Sequence, residues 1–245
     1  MLCTVIESNG STPRHAGSKM LVFPDKHIIG TVGGGETENR VIHEALAALT
    51  DGKTRLLTIS LVDPSRGDAG VCGGQVKVFV EPMGNEPLVL VVGGGHVGKA
   101  VAHLARWIGF RVAVADDRPE FCTPEANPDA QAFYPLPMLE IPQVLNITPQ
   151  TYIVLTTRGT DGDIAGLPGL LETKAAYIGV IGSRRRWTMT RNALLAAGIS
   201  EEKLNRVHSP IGLELNAETP EEIAVSILAE IIKIRNGGTG QSMKM

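Results

Sequence analysis

At 245 residues the chain is long enough for two compact domains, each able to bury a core without disulfide or metal staples. Hydrophobic residues make up 43%, charged residues 20% and aromatics only 4%, which excludes a disordered chain and leaves too few rings for a base-stacking platform. Net charge is −3, with 8 basic and 10 acidic residues up to position 86 and 15 and 16 beyond it, so neither half offers the basic face of a nucleic-acid binder.

The first 81 residues read as strands with one helix. Residues 2–8 and 19–23 are β-like runs separated by the turn Gly10-Ser11-Thr12-Pro13-Arg14, and a short strand runs into Gly30-Thr31-Val32-Gly33-Gly34-Gly35. Residues 36–50 place Val41, Ile42, Ala45, Leu46 and Leu49 on one face of a helix that Asp51-Gly52 ends. Strands over 54–61 and 75–81 flank a polar, glycine-rich loop at 62–74. Residues 82–87, with Gly, Asn and two prolines, are the natural linker. Beyond it the pattern alternates. An apolar strand at 88–92 precedes a glycine turn and a helix over 96–108 closed by Gly109, and a second strand spans 110–115. Residues 119–150, punctuated by proline, resist assignment. Strands at 152–156 and 176–181 and helices at 183–197 and 220–235 follow. The expected architecture is α/β: a small α+β domain over 1–84, a Rossmann-like doubly wound parallel-sheet domain over 87–236, and a flexible tail over 237–245.

Glycine is the compositional surplus, 28 of 245 residues against a usual share of about 7%. Without a G-x-y period these glycines belong in turns or where backbone approaches something closely. Gly93-Gly94-Gly95-His96-Val97-Gly98 matches G-x-G-x-x-G directly after a buried strand. Gly93 is placed for the tight turn, Gly95 for approach to a pyrophosphate and Gly98 for helix–strand packing. His96 opens a helix whose unpaired N–H groups face the phosphates. Asp116 and Asp117 end the second strand about 20 residues on, where an acidic side chain holds a ribose 2′-hydroxyl. In the first domain, Gly33, Gly34 and Gly35 can form a nest of N–H groups aimed at an anion, with Arg14 as a bidentate partner if the two loops converge. The alternative there is a flexible connection.

Cys72 lies in Val71-Cys72-Gly73-Gly74, where flanking glycines expose a thiol and supply backbone donors. Cys3, in an apolar strand, reads as core, and Cys122, after a turn, as incidental. None shares C-x-x-C spacing, which argues against a disulfide framework or structural zinc. Ser183 is a good N-cap before Arg184, Arg185 and Arg186; three adjacent arginines point different ways, so one or two face an anion and the rest water. Thr219, Pro220 and Glu222 make a structural capping box. His208 reads as packed or capping more readily than catalytic. No G-x-S-x-G, H-E-x-x-H or G-K-S/T motif is present, so the chain has places for a phosphorylated ligand and little machinery to transform one. No apolar run approaches about 18 residues and the first residues do not read as a signal peptide, so a cytoplasmic protein without a membrane span is expected.

Together these loops resemble the xanthine dehydrogenase accessory protein family, also called the XdhC/CoxI family. The resemblance rests on Gly10 to Arg14 with Gly17-Ser18-Lys19-Met20, on Gly30 to Gly35, on Cys72-Gly73-Gly74 and on Gly93 to Gly98. It continues through Asp116-Asp117-Arg118-Pro119, Tyr177 to Arg185, His208 to Leu213 and Glu218 to Ser226, and so covers nearly the whole chain. It implies a cofactor-insertion chaperone rather than an enzyme, one that binds molybdenum cofactor (molybdopterin, a pterin phosphate, in its plain or nucleotide-extended form) and protects it. It further implies help with sulfuration by a cysteine desulfurase, delivery to a xanthine dehydrogenase-type molybdenum hydroxylase, and a homodimer. The same resemblance gives Cys72 a role beside the metal, and makes Gly73, Gly74, Ser183, Arg184, Arg185 and His208 candidate cofactor contacts. Two departures stand out. The family usually has a helical lead before its first strand, and it usually carries Arg-Gly-His-x-His-Asp where this chain reads Arg158-Gly159-Thr160-Asp161-Gly162-Asp163. The second speaks against histidine chemistry in that loop but retains Arg158. The alternative expectation is an NAD(P)-dependent oxidoreductase using Gly93 to Gly98, with Asp116 favouring NAD over NADP.

Overall fold

The structure, a computed structural model, describes residues 1–61, 73–83 and 86–244. Cys72 and most of the loop at 62–74, with part of the 82–87 linker, lie outside the described residues. The chain divides into two compact units, Met1–Asn85 and Glu86–Met245.

In the first unit, β1 (Leu2–Asn9), β2 (Lys19–Val22), β3 (Ile28–Gly30), β4 (Arg55–Ser60) and β5 (Gln75–Glu81) form one antiparallel sheet in the order β3-β2-β1-β5-β4. Alternation sends Cys3, Val5, Val76, Val78 and Val80 to one face. There they pack on Val41, Ala45 and Ala48 of α1 (Gly35–Asp51). Gly52, at φ 69, ends α1 in the left-handed conformation and returns its N–H to Ala48 O, as the Asp-Gly pair predicts. A bulge interrupts β1: Val5 pairs with Val78 but Glu7 pairs with Lys77, leaving Ile6 as the extra residue.

The second unit is a six-stranded sheet, parallel at every pairing. It comprises β6 (Leu88–Val92), β7 (Arg111–Ala115), β8 (Ala132–Tyr134), β9 (Thr151–Leu155), β10 (Tyr177–Val180) and β11 (Val207–His208), in the order β11-β10-β9-β6-β7-β8. From β6 the chain winds outward one way through β7 and β8, then returns to β9 and winds the other way. The topological switch point therefore lies between β6 and β9. Both faces are covered. Val89 and Val91 face α2 (His96–Trp107) and α7 (Pro220–Asn236), while Leu90 and Val92 belong to the opposite core with Leu167, Leu170 and Leu194. That second core is closed by α3 (Ile141–Val144), α4 (Thr160–Leu171), α5 (Arg184–Ala196) and α6 (Glu201–Leu204). Both halves of the Thr219–Glu222 capping box are formed. No helix among the described residues is long and apolar enough to cross a membrane.

The sequence pattern gives no warning of α4. Its Gly162, Gly166, Gly169 and Pro168 read as loop, yet burial of Leu167, Leu170 and Leu171 overrides propensity. Gly166 is required for contact, because a Cβ there would lie 2.5 Å from Met138. The unassigned stretch at 119–150 holds β8, α3 and two short 3-10 turns, elements too brief for any periodicity to mark.

Candidate functional site

Three of the predicted glycine motifs meet at one end of the first unit's sheet. Ser11 bridges Gly73, and Gly74 lies so close that a Cβ would fall 2.2 Å from Ser11 O and 2.7 Å from Asn9 O. A Cβ on Gly33 would reach 3.3 Å from the Pro13 ring. The Gly10–Arg14 turn is therefore flanked by the two glycine runs. Arg14 is exposed, and its guanidinium has no partner among the described residues. The expected nest is partly self-occupied: Gly34 N–H donates to Glu38 Oε1 at 3.0 Å, and the Thr31 hydroxyl donates to the same oxygen. Gly34 and Gly35, at φ 76 and 58, are glycine for backbone reasons. Glu38, one turn into α1, was not marked by the sequence pattern.

In the second unit each glycine of the fingerprint has its own cause. Gly93, at φ 109, turns the chain out of β6. A Cβ on Gly98 would lie 1.9 Å from Gly93 O, so Gly98 sets the approach of α2 to the strand. Gly94 is enclosed: its N–H donates to Asp116 Oδ2 at 2.8 Å, and its carbonyl accepts from Asn127 Nδ2 at 3.1 Å. Gly95 differs from these three. Its φ is −71, open to any residue, and a Cβ there would meet nothing within 4 Å. His96, next in line, is exposed at the start of α2.

Asp116 is buried, and its carboxylate is engaged on both oxygens. Oδ1 accepts from Arg118 N and Nε, each at 3.0 Å; Oδ2 accepts from Gly94 N and from Arg118 Nη2 at 2.9 Å. Burial alone would raise its pKa, but the Arg118 hydrogen bonds, the Gly94 amide and the Arg118 charge outweigh burial and hold it below the usual range. The Arg118 guanidinium lies 3.8 Å from the Phe121 ring centroid. Asp116 thus has no free lone pair for a ribose hydroxyl, which corrects the expectation that it reads one. Asp117 is exposed. A cavity of about 220 Å³ opens here, lined by Gly93, Asp116, Arg118, Met138, Thr156 and Arg158 among others. Arg158 is exposed at its rim, with no partner among the described residues.

Of the three arginines that open α5, Arg184 and Arg185 are exposed. Arg186 turns inward. Its Nη1 donates to Thr157 O at 2.9 Å, and its Nη2 to Gly159 O at 3.0 Å and to the fully buried Asp163 at 2.6 Å. Ser183 caps the helix by accepting from Arg186 N. Arg186 thus fixes the 157–159 loop and leaves Arg158 free to project.

His208 is packed. Its ring stacks on Tyr177 at 4.7 Å, and its Nδ1 lies 3.4 Å from Glu230 Oε1. Glu230 also accepts from Tyr177 Oη at 2.5 Å and Gly212 N at 2.9 Å. Burial would raise the Glu230 pKa, but hydrogen bonds from His208, Tyr177 and Gly212 outweigh it and hold the carboxyl at about 2. A folded value below the ordinary 4.5 stabilises the fold above about pH 4.5, and that contribution is lost as pH falls toward 2. Glu230→Gln is therefore expected to cost on the order of 2–4 kcal/mol at pH 7. The gap between the two proteins' urea midpoints should narrow by more than half at pH 3; an unchanged gap would remove Glu230 from the acid response.

Cys3 and Cys122 are buried free thiols, the latter donating to Val114 O at 3.2 Å. Among the described residues no group of three or more His, Cys, Asp and Glu could hold a metal ion. Asn127, Glu38 and Glu230 shape these sites without having been singled out by motif; Arg118 was marked only within the stretch Asp116-Asp117-Arg118-Pro119, and Arg186 only as one of three arginines, with no partner assigned to either.

Comparison with known proteins gives concordant matches. A family model described as the XdhC Rossmann domain matches residues 89–231, and one described as the XdhC and CoxI family matches residues 1–60. The chain is 36% identical over 244 residues to the protein YqeB of Escherichia coli K12, across 99% of this chain and 44% of that protein. It is 33% identical over 162 residues to a probable xanthine dehydrogenase subunit of Bacillus subtilis, across 65% of this chain and 46% of that one. It is 24% identical over 264 residues to the molybdenum cofactor insertion chaperone PaoD of E. coli, across 96% and 83%. The chain thus spans less than half the length of the first two relatives. A crystal structure described as a xanthine dehydrogenase from Bacillus halodurans shares the fold, with a TM-score of 0.55 at 21% identity over 99% of this chain and 93% of that one.

Proposed function

The chain belongs to the XdhC and CoxI family, and from that premise we propose that it carries molybdenum cofactor as cargo for a molybdenum hydroxylase and performs no turnover itself. The observation that carries the reading is Gly95. Neither backbone conformation nor packing within the chain requires glycine there, and the residue is the N-cap of α2, so the main chain stands open at the helix N-terminus to the phosphorylated part of a ligand. A relative named as a molybdenum cofactor insertion chaperone and another named as part of a xanthine dehydrogenase support the class of cargo and recipient. The engaged carboxylate of Asp116 weighs against the NAD alternative.

In this reading Gly95 and His96 receive the phosphorylated part of the cofactor, in its plain or nucleotide form, on a turn that Gly93 and Gly98 shape. Arg14, Gly73 and Gly74 are assigned to the cargo, and Cys72 is assigned a role beside the metal or its sulfur, on which a cysteine desulfurase acts before delivery to a xanthine dehydrogenase-type partner. The working form is a homodimer in the cytoplasm. Exposed Arg184 and Arg185 are available to the cargo or to a partner.

The test is retention. The purified chain is incubated with cofactor released from a molybdoenzyme and gel-filtered, and the protein peak is assayed for molybdenum and pterin. Co-elution of both is expected; absence of both overturns the proposal. Cys72→Ala is expected to lower molybdenum retention or sulfuration several-fold while pterin stays bound. Unchanged values for both would exclude Cys72 from the site.

A further inference from the structure

The cavity at the C-terminal ends of β6, β7 and β9 has a chemistry that the fingerprint alone does not specify. A guanidinium has two edges able to bind an oxyanion in bidentate fashion. On Arg118 the Nε/Nη2 edge is spent on Asp116, and one face rests on Phe121. The other edge remains: Nη1 has no acceptor among the described residues, and Arg118 lines the cavity. Two anchors hold this side chain, so its ordering cost is met before any ligand arrives. Arg158 reaches the same rim on a loop that Arg186 fixes. Asp117, also at the rim, opposes an anion, but it is exposed and water screens it. Leu136, Pro137 and Met138 supply an apolar wall against which a flat heterocycle can lie.

We propose that this cavity is a phosphomonoester site. The free edge of Arg118 and the guanidinium of Arg158 take the phosphate of a heterocycle-bearing ligand, and Asp116 is a positioning residue for Arg118. A ribose diol, which needs a carboxylate with lone pairs to spare, is refused, because admitting it means displacing a charge-assisted pair that is 24% and 2% exposed at its two ends. The proposal rests on the reading that the Rossmann-like unit receives the phosphorylated part of the cargo, and it names the group that is read.

Two matched pairs of probes test it by calorimetric titration: cytidine 5′-monophosphate against cytidine, and the oxidised pterin of the cofactor with its phosphate against the same pterin after phosphatase treatment. The phosphorylated member is expected to bind at least about tenfold more tightly, the scale of one charge-assisted bidentate contact. A preference in either pair supports the site, and the pair that shows it identifies the source of the phosphate. Arg118→Gln, which keeps a donor for buried Asp116, and Arg158→Ala, at an exposed position, should each reduce the preference several-fold and leave the unphosphorylated member unaffected. Asp116→Asn should lower the preference in the same way, an effect that a purely structural role would not confine to the phosphate arm. Arg118→Ala, with the Asp116 carboxylate released, should gain binding to NAD. If no probe binds wild-type protein, both this inference and the reading beneath it fall. If both members of each pair bind equally, or the preference survives Arg118→Gln with Arg158→Ala, only the phosphate site falls.

Discussion

Gly98→Ala is expected to destabilise the second unit by roughly 2–4 kcal/mol, while Gly95→Ala, three residues earlier, stays within about 0.5 kcal/mol of wild type and loses cargo. A single methyl group is added in each case. At Gly98 it would be driven to 1.9 Å from Gly93 O and 3.0 Å from Thr156 Oγ1 and Val91 Cγ1, and the closest of these is backbone in the tight turn after β6. Helix propensity works the other way, since alanine is favoured over glycine in a helix by about 1 kcal/mol. The steric term wins because α2 would have to lift off a strand against which Val101 and Ala105 are already buried. At Gly95 the methyl group enters open space at an ordinary φ. Both tryptophans, Trp107 and Trp187, belong to the second unit, so urea unfolding followed by tryptophan fluorescence reports on that unit alone. Equal stability of the two variants would mean that Gly98 does not set the helix–strand distance. Retention of cargo by Gly95→Ala would remove the observation on which the functional proposal stands.

The second large effect belongs to Arg186. Arg186→Met is expected to cost about 3–5 kcal/mol, the usual consequence of leaving a buried carboxylate without its cation. Asp163 is fully buried, and without Arg186 its remaining side-chain partner among the described residues is the Thr157 hydroxyl at 2.5 Å. The loop carbonyls of Thr157 and Gly159 would lose their donors together. Arg184→Ala and Arg185→Ala, by contrast, should stay within about 0.5 kcal/mol, as exposed substitutions do. The mechanism makes a sharper demand: Arg186→Met combined with Asp163→Asn should be more stable than Arg186→Met alone, because the stranded charge has been removed. Urea midpoints of the four proteins check this, and a double variant no better than the single one would locate the cost in the loop hydrogen bonds instead.

Strands were legible where a single pattern decides them. β5 alternates cleanly, and β6 is apolar throughout because both of its faces are covered; both match their predicted bounds. The helix α4 was illegible because its Pro168 and three glycines read as loop, and the reason for one of them, Gly166, is Met138, a neighbour that only the folded chain supplies. The candidate site divides along the same line. The glycine turn after β6 was readable from spacing, since its backbone geometry is local. Whether Asp116 is free was not, because its engagement depends on which way one arginine turns and on a ring three residues further along. Arg184, Arg185 and Arg186 are equivalent as letters and become distinct only when α5 is phased against the 157–159 loop. The meeting of the Gly10, Gly33 and Gly73 turns follows from β1 lying between β2 and β5, a matter of strand order that no local pattern records.

The bulge in β1 bears on that meeting. Before it, Cys3 and Val5 point inward; after it, Ser8, opposite Val76, takes the inward place and Glu7 faces out to join Lys77 at 2.8 Å. Ile6 is thus a spare residue in the ladder. Were it deleted, the pairings on both sides would survive and no charge would enter the core, yet the extra bend it gives the strand would go, and with it the direction in which Gly10 to Arg14 leave the sheet. One position therefore uncouples aim from fold: the length of β1 is negotiable at Ile6 as far as stability is concerned, and fixed there as far as the loops are concerned.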